Sequence, residues 1–261
     1  TGPEKGQLLL IGGNAEDSLY LPMFMQLAGG HDASVVIIPT ARSEQVISQQ
    51  FFDQQIQRFR QFGFQHVSLV HTRSKEKANT EAFVAPLKKA DAVWIMGGRQ
   101  WRLVDAYQNT LTHLELVGLL HRSGIIAGTS AGATIQGSYL VRGDTRKNTI
   151  MMGDHEKSFS FIKNCAVDQH LLARNRHFDL FEVLEEHPEL LGIGLDENTG
   201  ILVEGDTFRV VGKSYVAIYD GTRWSEERDT IYELKDKENQ FYLLKEGDQY
   251  NMKLRSVILD E

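Results

Sequence analysis

The stretch Ile125-Ile126-Ala127-Gly128-Thr129-Ser130-Ala131-Gly132-Ala133-Thr134-Ile135 decides how this chain should fold. An apolar run ends in Gly-x-Ser-x-Gly, and small, helix-compatible residues follow. This is the pattern of a strand, a sharp turn and a helix. Small residues on both sides of Ser130 let the chain reverse abruptly, so the hydroxyl stands clear of the sheet. The helix behind it directs backbone N–H groups toward any negative charge that develops there. The spacing therefore marks Ser130 as a candidate nucleophile.

Working outward, Leu8–Ile11, Val35–Ile38, Val67–Val70 and Ala92–Met96 are further short apolar runs suited to strands buried on both faces. Helical stretches separate them. Ser43–Phe62 places Val46, Ile47, Phe51, Ile56 and Phe59 near helical spacing, with Ser43 as the expected N-cap. Strands alternating with helices imply βαβ units and a parallel sheet. Ligands of such sheets bind beyond the carboxyl ends of the strands, where Gly12-Gly13-Asn14, Gly97-Gly98-Arg99-Gln100 and the Ser130 turn all emerge. After residue 190 the pattern changes to short alternating segments, Gly200–Val203, Phe208–Val211, Tyr215–Tyr219 and Phe241–Leu244, read as antiparallel strands that extend or cap the same sheet. No linker or repeat divides the chain, so one domain over 1–261 is expected.

The 261 residues can bury a substantial core without disulfides or metals. The single cysteine, Cys165, excludes an intramolecular disulfide and reads as a small residue on a buried strand. A formal net charge of −7 and the absence of a basic, aromatic-interleaved block argue against a nucleic-acid partner. No run of 18 apolar residues suggests a membrane span. The sequence starts at Thr1, which leaves a cytoplasmic chain and an exported one with a removed leader both open. Gly12-Gly13 lacks the spacing of a dinucleotide or phosphate loop, and the histidines are too scattered for a metal site. No cofactor or metal is expected.

A serine nucleophile needs a base. Of nine histidines, those at 31, 66, 71, 113 and 121 precede the turn in loops or amphipathic segments. His155, His177 and His187 lie among charged residues and read as solvated. His170 differs, because Val167-Asp168-Gln169-His170-Leu171-Leu172 places it where an apolar strand passes into a helical stretch at the active edge. It is the candidate general base and acid. The orienting carboxylate is expected after the run Leu191–Leu195, where Asp196 and Glu197 both qualify. The order Ser, His, acid differs from the Ser, acid, His of α/β-hydrolases. The N–H groups of Ala131 and Gly98 are the candidate oxyanion hole.

Assembled, these residues resemble cyanophycinase, a relative of dipeptidase E within one serine peptidase family. The shared stretches are Gly12-Gly13, Ile38-Pro39-Thr40-Ala41, Gly97–Gln100, Gly128–Ala133, Asp168-Gln169-His170, Arg174-x-Arg176 and Gly192–Glu197. The resemblance implies a three-layer αβα fold similar to class I glutamine amidotransferases, with a mostly parallel central sheet and antiparallel C-terminal strands. It implies a Ser130–His170–Glu197 triad, so it selects Glu197 over Asp196. It also implies cyanophycin as substrate, a poly-aspartate backbone with arginine on its β-carboxyls, cut to β-Asp-Arg dipeptides. A homodimer is expected.

The family's pocket residues fall on Gln100, Asp168, Gln169, Arg174 and Arg176. Guanidinium forks suit the carboxylates of such a substrate, and Asp168 suits its arginine. Arg174 and Arg176 would diverge by about 200° on a regular helix, so both reach one pocket only if the stretch is irregular. Two positions depart from the pattern. Asp179 stands where cyanophycinases carry a third arginine and is placed to pair with Arg176, and Arg99 stands where an acidic or amide residue is commoner. The alternatives this leaves are a peptidase or isopeptidase for other aspartyl and β-aspartyl peptides, and a non-catalytic binder of acidic peptides.

Overall fold

The computed structural model describes residues 1–223 and 241–259. The chain begins β1 (Gln7–Ile11), α1 (Asp17–Leu27), β2 (Ser34–Ile38), α2 (Gln49–Gln61), β3 (His66–Leu69), α3 (Lys75–Ala78), α4 (Glu81–Lys88) and β4 (Ala92–Ile95). It continues with α5 (Trp101–Tyr107), α6 (Leu111–His121), β5 (Ile125–Thr129), α7 (Ala131–Thr134), β6 (Cys165–Gln169), α8 (Asp179–Glu186) and β7 (Leu191–Leu195). It ends in β8 (Thr199–Glu204), β9 (Thr207–Gly212), β10 (Val216–Asp220), β11 (Phe241–Leu244), β12 (Gln249–Asn251) and β13 (Ser256–Ile258).

The apolar runs pair as parallel strands in the order β1-β5-β4-β2-β3. Strand alternation then sends neighbouring side chains to opposite faces. Leu8, Leu10, Val36, Ile38, Val93 and Ile95 enter one core with α4, α5 and α6. Leu9, Ile11, Val35, Ile37 and Trp94 enter another with Tyr20 and Phe24 of α1 and Phe59 of α2. Helices thus cover both faces, giving an αβα arrangement.

The later strands divide. β8, β9, β12 and β13 extend the main sheet antiparallel beyond β1, to nine strands in all. β6, β7, β10 and β11 instead form a separate four-stranded sheet, a division that the apolar pattern after residue 190 does not reveal. One face of this second sheet joins the main core through Val167, Ile193, Val216 and Ile218. The other packs on Leu180, Val183 and Leu184 of α8. Cys165 is buried on β6 as expected, and burial pushes its thiol up to about 12.

One helix starts later than the spacing of apolar residues predicts. Residues from Ser43 form a turn, with the Val46 N–H on the Ser43 carbonyl at 3.0 Å, and the cap is Ser48, whose Oγ accepts from the Phe51 N–H at 3.1 Å. Val46 is left exposed.

Candidate active site

The turn after β5 has no room for side chains. A Cβ on Gly128 would lie 2.0 Å from the Gly132 carbonyl oxygen, and one on Gly132 would lie 2.1 Å from that of Ile95. Between them Ser130 is held at φ 53°, ψ −115°, a conformation outside the ordinary left-handed region that costs about 1–3 kcal/mol and persists only when the surroundings impose it. The Ser130 N–H donates to the Ile11 carbonyl at 2.8 Å, and its own carbonyl accepts from Ala133 and Thr134. Strand β1 on one side and α7 on the other thereby fix the hydroxyl.

That hydroxyl meets His170. Ser130 Oγ lies 2.9 Å from His170 Nε2, and His170 Nδ1 lies 2.7 Å from Glu197 Oε1. The three residues come from the ends of β5, β6 and β7, so the second sheet supplies the imidazole and the carboxylate to a hydroxyl on the first. His170 is seated through its N–H on the Gly12 carbonyl at 3.0 Å. Gly13, at φ +134°, presents bare backbone to the ring, since a Cβ there would lie 2.2 Å from His170 Cε1. The Gly12-Gly13 loop, which lacks phosphate-loop spacing, thus has a steric task that only a three-dimensional neighbour reveals.

His170 is 7% exposed. Burial holds its pKa below the usual imidazole value; Glu197 pulls the other way, and the charges of Arg174 and Arg176 reinforce the depression. The ring is therefore neutral at pH 7 and able to accept a proton from Ser130. Asp196 faces elsewhere. Its Oδ1 accepts from the Leu172 and Ala173 N–H groups at 2.9 Å each, and its Oδ2 accepts from Ser214 Oγ at 2.6 Å. Of the two acids open in the sequence, Glu197 is the one beside the imidazole.

The Gly97–Gly98 turn stands against the hydroxyl's other side, since a Cβ on Gly97 would lie 3.1 Å from Ser130 Cβ. Ala131 opens α7, so its N–H belongs to the first turn, which has no carbonyl within the helix to bind. Gly97 thus lies against the Ser130 side chain, with Gly98 next in the turn and packed on Ala41.

Residues 171–178 form irregular turns that bring Arg174 and Arg176 near His170. Arg174 is exposed. The other expected pocket residues are buried on internal partners. Gln100 Nε2 donates to the Val141 carbonyl at 2.7 Å, and Arg176 Nη1 donates to Gln169 Oε1 at 2.7 Å and to the Gln169 carbonyl at 3.0 Å. Burial, with Arg142 nearby, lowers the Arg176 pKa to about 10, which still leaves it charged at neutral pH.

Asp168 is gripped by Arg142, whose Nε and Nη2 donate to its two oxygens at 2.7 and 2.9 Å, with both side chains at most 2% exposed. Asp179 pairs with the same guanidinium, and not with Arg176 as the helical spacing predicts. The reason is topological: α8 begins at Asp179, so the turn before it aims Arg176 back at β6. Arg142 is the residue that sequence reasoning passes over. Its signal was a lone cation directly after the apolar Tyr139-Leu140-Val141.

His155 is also placed differently from its sequence surroundings. It is half-buried, with Nδ1 2.9 Å from Asp154 and Nε2 2.8 Å from Asp105. Burial opposes its protonation, but the two carboxylates outweigh this and raise its pKa. Among the described residues no group of His, Cys, Asp and Glu is arranged to hold a metal, and no helix is long and apolar enough to cross a membrane.

Comparisons with known proteins agree with this architecture. Residues 8–211 match the family model described as peptidase family S51. The chain is 30% identical to the cyanophycinase of Geminocystis herdmanii, over 95% of this chain and 94% of that one. It is 31% identical to the cyanophycinase of Synechococcus elongatus, over 97% and 81% respectively. Among solved structures, a peptidase from an acI-B1 Actinobacterium superposes with a TM-score of 0.68 at 21% identity, covering 96% of this chain and 98% of that one. A putative peptidase E protein from Listeria monocytogenes superposes with a TM-score of 0.57 at 16% identity, over 80% and 100%.

Proposed function

The chain belongs to peptidase family S51 and is a serine-type peptidase of the cyanophycinase type, and from that premise we propose that Ser130, His170 and Glu197 are its catalytic triad. The observation that carries the reading is the relay of 2.9 and 2.7 Å hydrogen bonds from a strained serine through a buried imidazole to a carboxylate. Ser130 Oγ attacks the scissile carbonyl while His170 Nε2 takes its proton. Glu197 stabilises the imidazolium through Nδ1. The tetrahedral oxyanion is received by the Ala131 and Gly98 N–H groups. His170 then returns the proton to the leaving amine, and water completes hydrolysis of the acyl-enzyme through the same base.

For substrate we propose peptides with an aspartyl backbone, cyanophycin first among them, since the curated relatives are cyanophycinases and cationic side chains lie near His170. A second reading, other aspartyl or β-aspartyl peptides, is favoured by one observation: Arg142 already fills the fork of Asp168 that would suit a substrate arginine. A purely binding role is disfavoured by the strain at Ser130, which a binder has no use for. One domain is proposed, in keeping with a core that runs continuously from the main sheet into the second.

A fluorophosphonate should label Ser130, and Ser130→Ala should remove label and hydrolysis together, by about 10⁶ in kcat with circular dichroism unchanged. A variant keeping a tenth of the activity would sink the triad. Mass analysis of products from cyanophycin and from β-aspartyl dipeptides separates the two substrate readings.

A further inference from the structure

Three consecutive carbonyls where β1 ends each receive an N–H from the site. The Ile11 carbonyl accepts from Ser130 at 2.8 Å, that of Gly12 from His170 at 3.0 Å, and that of Gly13 from Asn198, the residue after Glu197, at 2.8 Å. The Gly12 N–H in turn donates to the Thr199 carbonyl at 2.9 Å. Ser130, His170 and Glu197 stand just past the ends of β5, β6 and β7, strands of two separate sheets, so their backbones meet on this one turn. Gly12 has no room for a side chain, since a Cβ there would lie 2.2 Å from the Asp196 carbonyl oxygen.

Asn198 closes the turn on its far side. Its Oδ1 accepts from the Glu16 N–H at 3.0 Å, and its Nδ2 donates to Glu16 Oε2 at 3.3 Å. Lys213 Nζ and Ser18 Oγ hold the same carboxylate, and the Lys213 N–H donates to the Asn198 carbonyl at 3.0 Å. The backbone at Asn198 is left-handed, at φ 50°, a conformation that asparagine tolerates and most side chains resist. Asn198 is thus bound through its N–H, its side chain and its carbonyl. The Glu197 carboxylate directly before it has no hydrogen-bond partner but His170 among the described residues, so its place is set by its backbone.

We propose that the Gly12–Gly13 turn sets the register of the three site residues, and that Asn198 is a positioning residue that fixes Glu197 against His170 by locking the end of β7 to this turn. The inference rests on the Ser130–His170–Glu197 reading and adds to it a residue that acts through Glu197. A side chain at 198 without an acceptor releases the Glu16 N–H and loosens the turn. The Glu197 carboxylate then spends less time at 2.7 Å from His170 Nδ1, and the imidazolium loses part of its stabilisation. The fold is not at stake, because the antiparallel pairing of β8 with β1 runs from Gly200 to Val203 regardless.

Inactivation by an uncharged fluorophosphonate, followed from pH 4 to 8, reads this position without any contribution from peptide binding. Asn198→Gly keeps the left-handed backbone, removes the side-chain hydrogen bonds and changes no charge; Arg174 and Arg176, the other charges that act on His170, stay in place. The plateau rate should fall about tenfold, less than the order of 10² that a misplacement of about 1 Å costs. The acid limb should move to lower pH, because Glu197 favours the protonated ring. Asn198→Asp combined with Glu16→Gln retains an acceptor for the N–H of residue 16 and reverses the amide–carboxylate bond, so it should recover most of the rate. A lower melting temperature with rate and limb unchanged would make Asn198 a structural residue only and overturn the proposal, as would a double variant no faster than Asn198→Gly. Failure of wild-type Ser130 to react, or a Glu197→Gln protein with rate and limb unmoved, would instead count against the triad, so the two failures are separable.

Discussion

The segment around Ser130 and the segment from Asp168 to Asp179 meet at one hydrogen bond, yet opposite physics shapes them. Residues 125–135 are positioned by exclusion: glycines at 128 and 132 admit backbone where side chains would collide, and the serine between them is held at φ 53°, ψ −115°. Residues 168–179 are positioned by charge. Arg142 ties Asp168 to Asp179, Arg176 reaches back to Gln169, and Asp196 collects two backbone N–H groups of the loop. Steric constraints of the first kind are insensitive to pH and salt, whereas a buried ion pair such as Arg142–Asp168 responds to the loss of either member. Ser130, the proposed nucleophile, therefore stands on the sterically fixed half, and His170, the proposed base, on the charge-built half.

The sharpest way to break that division is at the carboxylates. Glu197→Gln removes the charge that stabilises the imidazolium, and kcat should fall by about 10⁴, the loss seen when a triad acid becomes an amide. Asp196→Asn removes a charge of the same sign one residue away, but from a group that binds backbone N–H and the Ser214 hydroxyl. Its effect should appear mainly as a lower melting temperature. Steady-state kinetics and thermal unfolding of both variants decide. Comparable losses of kcat would mean that Asp196, too, acts on the imidazole.

A smaller effect should follow from intruding on the ring's packing. In Gly13→Ala the added methyl would lie 2.2 Å from His170 Cε1, so the imidazole must shift. Displacements of about 1 Å at a reacting group cost on the order of 10² in rate. The expected signature is a reduced kcat at little-changed KM; full activity would show that the loop yields instead of the ring.

Asp179→Arg tests the charge-built half directly. By family pattern, arginine at 179 belongs with the polymer substrate, and its return would be expected to help. In this structure Asp179 is bound to Arg142, so the substitution sets two guanidinium groups against each other and leaves Asp168 with a contested partner. Because Asp179 is about one-third exposed, solvent screening limits the cost. The expectation is a melting temperature lowered by a few degrees and roughly tenfold less kcat/KM on acidic peptides. A rise in kcat/KM would show that Arg142 can release Asp179 at no cost.

The same contrast explains what could be read beforehand. The strand, turn and helix around Ser130 are encoded within eleven consecutive residues, and the parallel strands by local apolar runs, so both were legible. His170 is marked by its place at the end of an apolar strand. Arg142 carries no such mark, because its partners lie 26 and 37 residues away and a bidentate buried pair leaves no local periodicity. The second sheet was hidden for a similar reason, since alternation identifies β7 and β10 as strands without saying which neighbour each will pair with. Ser48 displaced Ser43 as cap because both satisfy the same local rule and only packing of the turn between them chooses.

The least of the expected effects is also the most specific to this arrangement. Arg174 is exposed, yet its charge disfavours the imidazolium of His170. In the proposed mechanism the neutral ring is the base, so activity should be lost as pH falls through the His170 pKa. Removing a cation that opposes protonation raises that pKa; Arg174→Ala should therefore lose activity at a higher pH than the wild type, and Glu197→Gln, which removes the opposing anion, at a lower one. Inactivation by an uncharged fluorophosphonate, followed from pH 4 to 8, isolates this from substrate binding, because the probe carries no carboxylate for Arg174 to hold. Through-solvent interactions at exposed groups are screened over about 10 Å at 0.1 M salt, so the displacement for Arg174→Ala should shrink as salt is added, while that for Glu197, in direct hydrogen-bond contact with the imidazole, should persist. An acid limb that does not move in Arg174→Ala, or moves downward, would show that the guanidinium lies too far from the imidazole to influence it and serves the substrate alone.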